Sequence, residues 1–133
     1  MAFAHDRYAH EYDSQVIRYN CFIADALFGL MYEYTKPGDT ILDVGIGTGI
    51  ASRLFHKAGL QIYGIDASGE MLKICREKQF AQHLIKHDLV NLPWPYQDTM
   101  FLHVVCCGVL HFFGDLGKIF TEINRIQKSG GIL

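Results

Sequence analysis

The stretch Thr40-Ile41-Leu42-Asp43-Val44-Gly45-Ile46-Gly47-Thr48-Gly49 predicts the fold of this chain, because an apolar strand ends there in an acid and runs into alternating glycines. Glycine lets the backbone turn sharply and leaves no side chain between the backbone and a ligand. The helix expected next, from Ile50 to about Lys57, directs its unpaired N–H groups at the same space. The stretch therefore predicts a turn that binds a nucleotide-like ligand.

The spacing of the glycines disfavours two common nucleotide-binding turns. The dinucleotide fingerprint G-x-G-x-x-G requires glycine at position 50, where this chain has Ile50, and no Gly-Lys-Ser/Thr follows as in a P-loop. Ile50 and Asp43 together disfavour an NAD-type dehydrogenase. A second strand, residues 61–65, ends in Asp66 about 20 residues after the turn, where a ribose-binding acid is expected.

With Asp43 two residues before Gly45, this pattern resembles the first motif of class I S-adenosylmethionine-dependent methyltransferases, which reads strand, acid, x, G-x-G-x-G. The resemblance implies a Rossmann-like three-layer α/β sandwich, a parallel sheet with helices on both faces. It also implies S-adenosyl-L-methionine as cofactor and S-adenosyl-L-homocysteine as product. Ile132-Leu133 has the pattern of a fifth strand that stops at its start, so we expect a truncated chain lacking the last strands of the family's seven-stranded sheet.

The rest of the sequence agrees with an alternating α/β order. Apolar residues spaced by three or four predict one amphipathic helix over residues 14–34, ended by Lys36-Pro37-Gly38-Asp39. Predicted strands at 40–44, 61–65, 83–86 and 101–107 then alternate with predicted helices at 50–57, 69–78 and 115–127. Alternation of this kind predicts a parallel sheet. We divide the chain into an N-terminal helical lid, residues 1–38, and a cofactor-binding core, residues 39–133, which together form one domain.

Composition limits the partners of the protein. The formal net charge of the 133 residues is −2, and Lys and Arg are scattered, so there is no basic footprint for nucleic acid or an anionic membrane. No signal segment is visible, and no run approaches the ~20 apolar residues of a membrane span. We expect a cytoplasmic protein that acts on a small molecule, with neither nucleic acid nor membrane as partner.

Cysteine and histidine usage predicts no metal site. Cys21, Cys75, Cys106 and Cys107 lack C-x-x-C spacing, and the seven histidines are spread along the chain. We expect buried thiols that behave as small core residues.

Asp66 is the sharpest prediction for the cofactor site. A carboxylate at the end of the second strand accepts hydrogen bonds from both ribose hydroxyls, with Ala67 and Met71 flanking the adenosine. The alternative is that Asp66 only caps the next helix, although Ser68 is also available as that cap.

The glycine turn is predicted to face the methionine part of the cofactor. Gly45, Ile46, Gly47 and Gly49 approach it, and its carboxylate meets backbone N–H groups at the helix start. Asp43 has two equal interpretations: it holds the turn through backbone N–H groups, or it faces the cofactor's ammonium directly or through water.

Further site residues follow only from the family resemblance. It implies that Asp88 and Leu89 contact adenine, the alternative for Asp88 being a local Asx-turn. Asn91 to Asp98 resembles a loop that precedes the fourth strand in small-molecule methyltransferases; Trp94 in it covers adenine or plugs the sheet edge.

The segment from Cys106 to Phe113 matches the family's x-x-G-V-L-H-H. It implies that backbone carbonyls around Cys106 and Cys107 face the ammonium. His111 lies beyond them, either as a catalytic base or as a residue that holds the loop.

The N-terminal residues 3–13 resemble the segment F-D-x-x-A-x-x-Y-D that covers the cofactor in this family. Tyr8 and Tyr12 would pack over the sulfonium or the acceptor, the alternative being an ordinary helix end.

The predicted reaction is in-line displacement, in which the acceptor attacks the methyl carbon of S-adenosylmethionine. Sulfonium is a good leaving group, so the protein mainly aligns the reactants and excludes water. The alternative is a non-catalytic module that binds the cofactor or a partner chain. An incomplete sheet leaves an apolar edge, from which a homodimer is a possible outcome.

Overall fold

The computed structural model describes residues 2–81 and 83–133, with side chains from residue 6 onward. Its four strands form one parallel sheet in the order β3-β2-β1-β4. The strands are β1 (Thr40–Val44), β2 (Gln61–Asp66), β3 (His83–Lys86) and β4 (His103–Val105). The helices are α1 (Ala2–Arg18), α2 (Ile23–Met31), α3 (Ile50–Lys57), α4 (Gly69–Glu77) and α5 (Leu116–Ile126). The predicted α/β sandwich with a parallel sheet is confirmed.

Strand β1 lies between two apolar layers. Its successive residues Ile41 and Leu42 are both fully buried but belong to different core clusters, as the alternation of a strand requires. One cluster packs β1 against α5, through Ile119, Ile123 and Ile126. The other packs it against α2, α3 and α4, through Met31, Phe55, Leu72 and neighbouring residues. Helices therefore cover both faces of the sheet.

The helices of the core begin where the sequence predicted. The Ser68 hydroxyl accepts a hydrogen bond from the Met71 N–H over 3.2 Å and caps α4, as expected for that residue. The Asp115 carboxylate accepts from the Lys118 N–H over 3.3 Å and caps α5. The observed bounds of α3, α4 and α5 agree with the predicted helices to within one residue at each end.

The N-terminal segment corrects one prediction. Residues 14–34 do not form a single helix: α1 ends at Arg18, and α2 begins at Ile23. The apolar spacing continues across the break, but Asn20 has a left-handed φ of 51° that turns the chain. The turn lets α2 pack on α3, where the rings of Phe28 and Phe55 meet edge to face with 5.1 Å between centroids.

Strand β4 is also shorter than predicted, covering residues 103–105 and not 101–107. The backbone of Phe101 pairs instead with the end of α5: its N–H donates to the Ile126 carbonyl over 3.0 Å, and its carbonyl accepts from the Lys128 N–H over 2.7 Å. Residues 132–133 form no strand among the described residues, although the Ile132 carbonyl accepts from the Val104 N–H over 3.1 Å. The expected fifth strand is thus reduced to this contact.

His103 of β4 bonds both Ile132 and Asp39 from inside the core. It is 1% exposed, and its Nδ1 accepts a hydrogen bond from the Ile132 N–H over 3.2 Å. Its Nε2 lies 2.9 Å from a carboxylate oxygen of Asp39. Since Nδ1 accepts, the proton is on Nε2, which donates to Asp39.

Trp94 belongs to the core and does not cover a ligand site. Its side chain is 1% exposed, and its indole N–H donates to the Leu89 carbonyl over 2.9 Å. Of the two interpretations of Trp94, the structure therefore agrees with the structural one, a plug beneath the loop 91–98.

Arg125 fastens that loop to α5. Its guanidinium donates to the carbonyl of Tyr96 over 2.8 Å, to the carbonyl of Trp94 over 3.2 Å and to the carboxylate of Asp98 over 2.9 Å. It also pairs with Glu122, which is 7% exposed and accepts from the Trp94 N–H as well. Glu122 is therefore a buried charge with one cationic partner among the described residues.

Replacing that partner tests the network. We expect Arg125→Met to lower the free energy of unfolding by about 2–4 kcal/mol, because the buried Glu122 loses its ion-pair partner. Urea denaturation followed by circular dichroism measures the loss. Arg76→Met on the exposed surface of α4 is the matched control and should change stability by less than about 0.5 kcal/mol. Equal stability of the two variants would show that the network contributes nothing.

Candidate functional site

Two acids meet at the carboxyl edge of the sheet. Asp43 lies in β1 beside Gly64 of β2, and Asp66 is the last residue of β2. Both are buried, with 1% and 9% of their surface exposed. Parallel strands place ligand sites at this edge, outside their carboxyl ends.

Asp43 is a buried carboxyl group with one of its two oxygens unpartnered among the described residues. The Ser52 hydroxyl of α3 donates to its Oδ2 over 2.7 Å, while its buried Oδ1 has no hydrogen-bond partner among the described residues. Burial raises the pKa of Asp43 to about 7; the Ser52 hydrogen bond opposes this shift, and the charge of Asp66 adds to it. No contact to the N–H groups of the glycine turn is made, so the first interpretation of Asp43 has no support here.

Asp66 holds the glycine turn through one oxygen and the start of α4 through the other. The Gly47 N–H donates to Oδ2 and the Ser68 N–H donates to Oδ1, each over 2.8 Å. A carboxylate oxygen accepts at two lone pairs, so each retains room for a second donor. The capping of α4 is done by Ser68, which leaves Asp66 available for a ligand.

Two glycines of the turn are required by close packing. A Cβ added at Gly45, where φ is +75°, would lie 2.2 Å from a methyl carbon of Val109. One added at Gly49, where φ is +85°, would lie 2.8 Å from the sulfur of Cys75 and 2.7 Å from the ring of Phe80. Gly49 therefore contacts α4 and its neighbouring loop, and it lines neither cavity of the site described next.

Two small cavities lie on either side of Gly45. The first, of about 60 Å³, is bounded by α1, the glycine turn and the end of β4, and we call it the Asp43 cavity. The second, of about 20 Å³, lies between the end of β2 and the loop after β4, and we call it the Asp66 cavity. Gly45 lines both cavities, and Val109, which packs against Gly45, lines the second.

Most of the predicted site residues line one of these cavities. Around the Asp43 cavity are Tyr12, Asp43, Gly45, Ile46, Gly47 and Cys107. Around the Asp66 cavity are Gly45, Asp66, Ala67 and Leu89. The predicted residues that line neither are Gly49, Met71, Asp88, Cys106 and His111.

Asp88 and His111 are exposed and engaged locally. The Asp88 carboxylate accepts from the Val90 N–H over 3.3 Å, which is the Asx-turn given above as the alternative. His111 lies in a short 3₁₀ helix, Leu110–Phe112, with its ring 4.0 Å from that of Phe112. His111 lines neither cavity, so no contact in the structure supports its predicted catalytic role.

Helix α1 is held over the site by two acids. Asp13 accepts from the Thr48 hydroxyl of the glycine turn and pairs with Lys78 over 2.5 Å. Asp6 accepts from the Ser68 hydroxyl and from the Glu70 N–H at the start of α4. Among the lid residues, Met1 and the side chains of residues 2–5 lie outside the described part.

Tyr12 is carried by α1 to the wall of the Asp43 cavity. It is 40% exposed, and burial of its inner part is the main cause that raises the pKa of its phenol. The ring therefore stays neutral at physiological pH. Tyr8 lies further out and is 49% exposed, with the Arg7 guanidinium 5.6 Å from its ring centroid.

Several residues of the site were missed by the sequence analysis. They are Ser52, which bonds Asp43; Val16, Cys21, Ile23 and Ala24 in the wall of the Asp43 cavity; and Val109, Phe112 and Phe113 in that of the Asp66 cavity. Only Ser52 had a local signal, since it lies in the first turn of α3 directly above the end of β1.

Cysteines and metal ligands complete the description. Cys75 is buried as expected, but Cys21 is exposed, and Cys106 and Cys107 are half-buried. Burial raises the pKa of Cys106 to about 12, so its thiol stays protonated. Within residues 2–81 and 83–133, no three His, Cys, Asp or Glu side chains group as a metal site, and no helix is long and apolar enough to cross a membrane.

Comparisons with known proteins agree with this geometry. The family described as "Methyltransferase domain" matches residues 42–133. A malonyl-[acyl-carrier protein] O-methyltransferase of Serratia marcescens is 30% identical over 101 residues, covering 74% of this chain and 38% of that protein. The chain therefore spans well under two thirds of this relative.

Two solved structures share the fold. A Methanococcus maripaludis protein, assigned to the S-adenosyl-L-methionine-dependent methyltransferases, matches with a TM-score of 0.79 at 23% identity, over 96% of this chain and 62% of that one. Phosphoethanolamine N-methyltransferase 2 of Haemonchus contortus was solved with phosphomonomethylethanolamine and S-adenosylhomocysteine. It matches with a TM-score of 0.66 at 27% identity, over 74% of this chain and 24% of that one.

The family match covers more than half of the chain and includes the glycine turn, both buried acids and the loop after β4. It agrees with the resemblance stated from the motifs. The chain belongs to the methyltransferase domain family and has the fold of the class I S-adenosylmethionine-dependent methyltransferases.

Proposed function

We propose that this chain binds S-adenosyl-L-methionine and belongs to an enzyme that transfers its methyl group to a small-molecule acceptor. The observation that carries the proposal is the unpartnered Oδ1 of Asp43, buried at the glycine turn. A buried polar atom without a partner is costly unless a ligand supplies one.

The ammonium of the cofactor's methionine part fits this atom. A cation beside Asp43 stabilises its ionised form and offsets the burial that raises its pKa. Tyr12 and Cys107 line the same cavity, and the Gly45 and Gly47 backbone approaches it without a Cβ. The groups that line this cavity are therefore suited to the amino-acid end of the cofactor.

The adenosine would lie on the other side of Gly45. Asp66 has free lone pairs for the ribose hydroxyls, and Ala67 and Leu89 line the same cavity. None of Met71, Asp88 and His111 lines either cavity, so the roles proposed for them need a movement of the segments that carry them, which for Met71 is the first turn of α4.

Binding also requires the two cavities to join. Sites for cofactors of this size measure roughly 300–1,000 Å³, whereas the cavities here are about 60 and 20 Å³. Val109 packs against Gly45, the residue that lines both cavities. We therefore propose that the segment 108–113 moves away from Gly45 when the cofactor binds.

When bound, the cofactor supplies a methyl group on a sulfonium that leaves as a neutral thioether. The work left to this chain is to align that methyl group with the acceptor and to exclude water. Helix α1, tied down by Asp6 and Asp13, is placed to close the site, which agrees with residues 1–38 acting as a lid. No base within the chain is needed for an acceptor that is already nucleophilic.

The acceptor is proposed only as a small molecule. The relative and the solved structure named above are a malonyl-[acyl-carrier protein] O-methyltransferase and a phosphoethanolamine N-methyltransferase, whose acceptors are chemically unlike each other. The cytoplasmic location and the homodimer also stay predictions.

Calorimetry with S-adenosylmethionine, S-adenosylhomocysteine and NAD tests the proposal. Binding of the first two and not of NAD is the expected result, and binding of NAD alone would overturn it. Incubation of the protein with S-adenosylmethionine and a metabolite panel, read out as S-adenosylhomocysteine formed, then separates an enzyme from a non-catalytic binding module.

Substitution of Asp66 tests the ribose contact. We expect Asp66→Ala to weaken S-adenosylhomocysteine binding at least tenfold, because charge-assisted hydrogen bonds to both hydroxyls are lost. Glu77→Ala, an exposed acid at the end of α4, is the matched control and should bind as the wild type does. Full affinity in Asp66→Ala would refute the ribose role, provided that circular dichroism shows the variant folded.

The pH dependence of binding tests Asp43. Below its pKa of about 7, Asp43 is protonated in the free protein, so binding of an ammonium must first release that proton. We expect S-adenosylhomocysteine affinity to fall about tenfold from pH 8 to pH 6, and Asp43→Asn to remove this slope while binding more weakly at pH 8. A wild-type affinity that is constant or rises toward pH 6 would contradict the assignment.

A further inference from the structure

An open cavity much larger than those of the cofactor site lies beside it. It measures about 710 Å³ and is lined by α1, the turn 19–22, α2, α3 and the residues that follow α4. This volume is in the range of small-molecule sites. We call it the α3 cavity.

The α3 cavity shares a wall with the Asp43 cavity. Val16, Cys21, Ala24 and Ile50 line both. A ligand in the α3 cavity would therefore reach, at this wall, the space proposed for the methionine end of the cofactor.

The lining is apolar on the side of the N-terminal helices. Ile17 and Phe22 both line the cavity and are 76% and 67% exposed, a large exposure for two apolar side chains of one surface. Leu54 and Phe80 continue the apolar surface from α3 and from the end of α4. An apolar chain in the cavity would cover these groups.

The side formed by α3 is cationic. Arg53 and Lys57 lie four residues apart on the helix, on the face that carries Ile50 and Leu54 into the cavity. Neither has an acidic partner within 4 Å among the described residues. Like charges at this spacing repel, and an anion between them would relieve the repulsion.

The other charges that line the cavity do not cancel this pair. Lys78 is neutralised by Asp13 at 2.5 Å, and His56 rests near the ring of Phe80. Asp25, at the start of α2, is the remaining acid of the lining. The unpaired charges are thus two cations and one carboxylate.

We propose that the α3 cavity binds a small amphipathic anion, with its anionic head at Arg53 and Lys57 and its apolar tail against Ile17 and Phe22. The rise of a helix, about 1.5 Å per residue, puts Lys57 some 10 Å from Ile50. An elongated ligand therefore spans from the cationic pair to the shared wall. If the proposed function holds, this ligand lies where a methyl acceptor approaches; its binding does not depend on that.

Calorimetry with three ten-carbon probes of different head group tests the site, at concentrations below those at which each forms micelles. We expect decanoate to bind with one site per chain and decylamine at least tenfold more weakly, with decanol in between. Equal affinity of decanoate and decylamine would overturn the proposal, because it would show that the charge of the cavity has no influence.

Variants locate the head group. The double variant Arg53→Gln/Lys57→Gln should weaken decanoate at least tenfold and leave decanol unchanged, whereas Asp25→Asn should tighten decanoate severalfold. The matched control is Lys73→Gln/Arg76→Gln, which removes two cations from the exposed surface of α4 outside the cavity. Equal decanoate affinity in the two double variants would place the anion elsewhere.

Phe22→Ser tests the tail. Because Phe22 is exposed, its loss should not unfold the chain, yet it should weaken decanoate and decanol alike. Unchanged affinity for both probes would show that the apolar tail does not bind in this cavity.

The same variants keep this proposal separate from the proposed function. Arg53→Gln/Lys57→Gln should bind S-adenosylhomocysteine like the wild type, because neither residue lines the Asp43 or the Asp66 cavity. A chain that binds decanoate as described but no S-adenosylhomocysteine would overturn only the proposed function. A chain that binds S-adenosylhomocysteine but not decanoate would overturn only the proposed anion site in the α3 cavity.

Discussion

The burial of the Asp43 carboxylate is the constraint around which the rest of this structure is arranged. It stands on the central strand, 1% exposed, with one oxygen bonded to Ser52 and the other without a partner. The apolar layers on both sides of β1 make this burial unavoidable, and the site then differs from an ordinary core by one unsatisfied charge. The glycine turn, Asp66 and helix α1 all meet next to it.

Three acids link the segments of the site to one another. Asp66 bonds two N–H groups of the backbone that turns after β1 and β2, while Asp13 and Asp6 bring α1 down on Thr48 and Ser68. The two cavities beside them measure about 60 and 20 Å³, so cofactor binding as proposed requires part of this arrangement to open.

Local patterns predicted the elements that follow local rules. Strands β1 and β2, the turn at 45–49 and the caps Ser68 and Asp115 depend on residues close in sequence. The break at residues 19–22 and the short β4 do not: α2 turns to pack on α3, and Phe101 pairs with the end of α5. The spacing of apolar residues along the chain does not show which distant segments pack against each other.

The sequence by itself determined the order of the strands and of helices α3 to α5, the glycine turn and the two acids at the strand ends, because spacing and residue type suffice for these. Only the tertiary structure decided which of them share a cavity. Asp43 gained its raised pKa, Val109 its position on Gly45, and Trp94 its place in the core from segments far along the chain. Burial and desolvation depend on the whole packed fold, and no single stretch of sequence contains them.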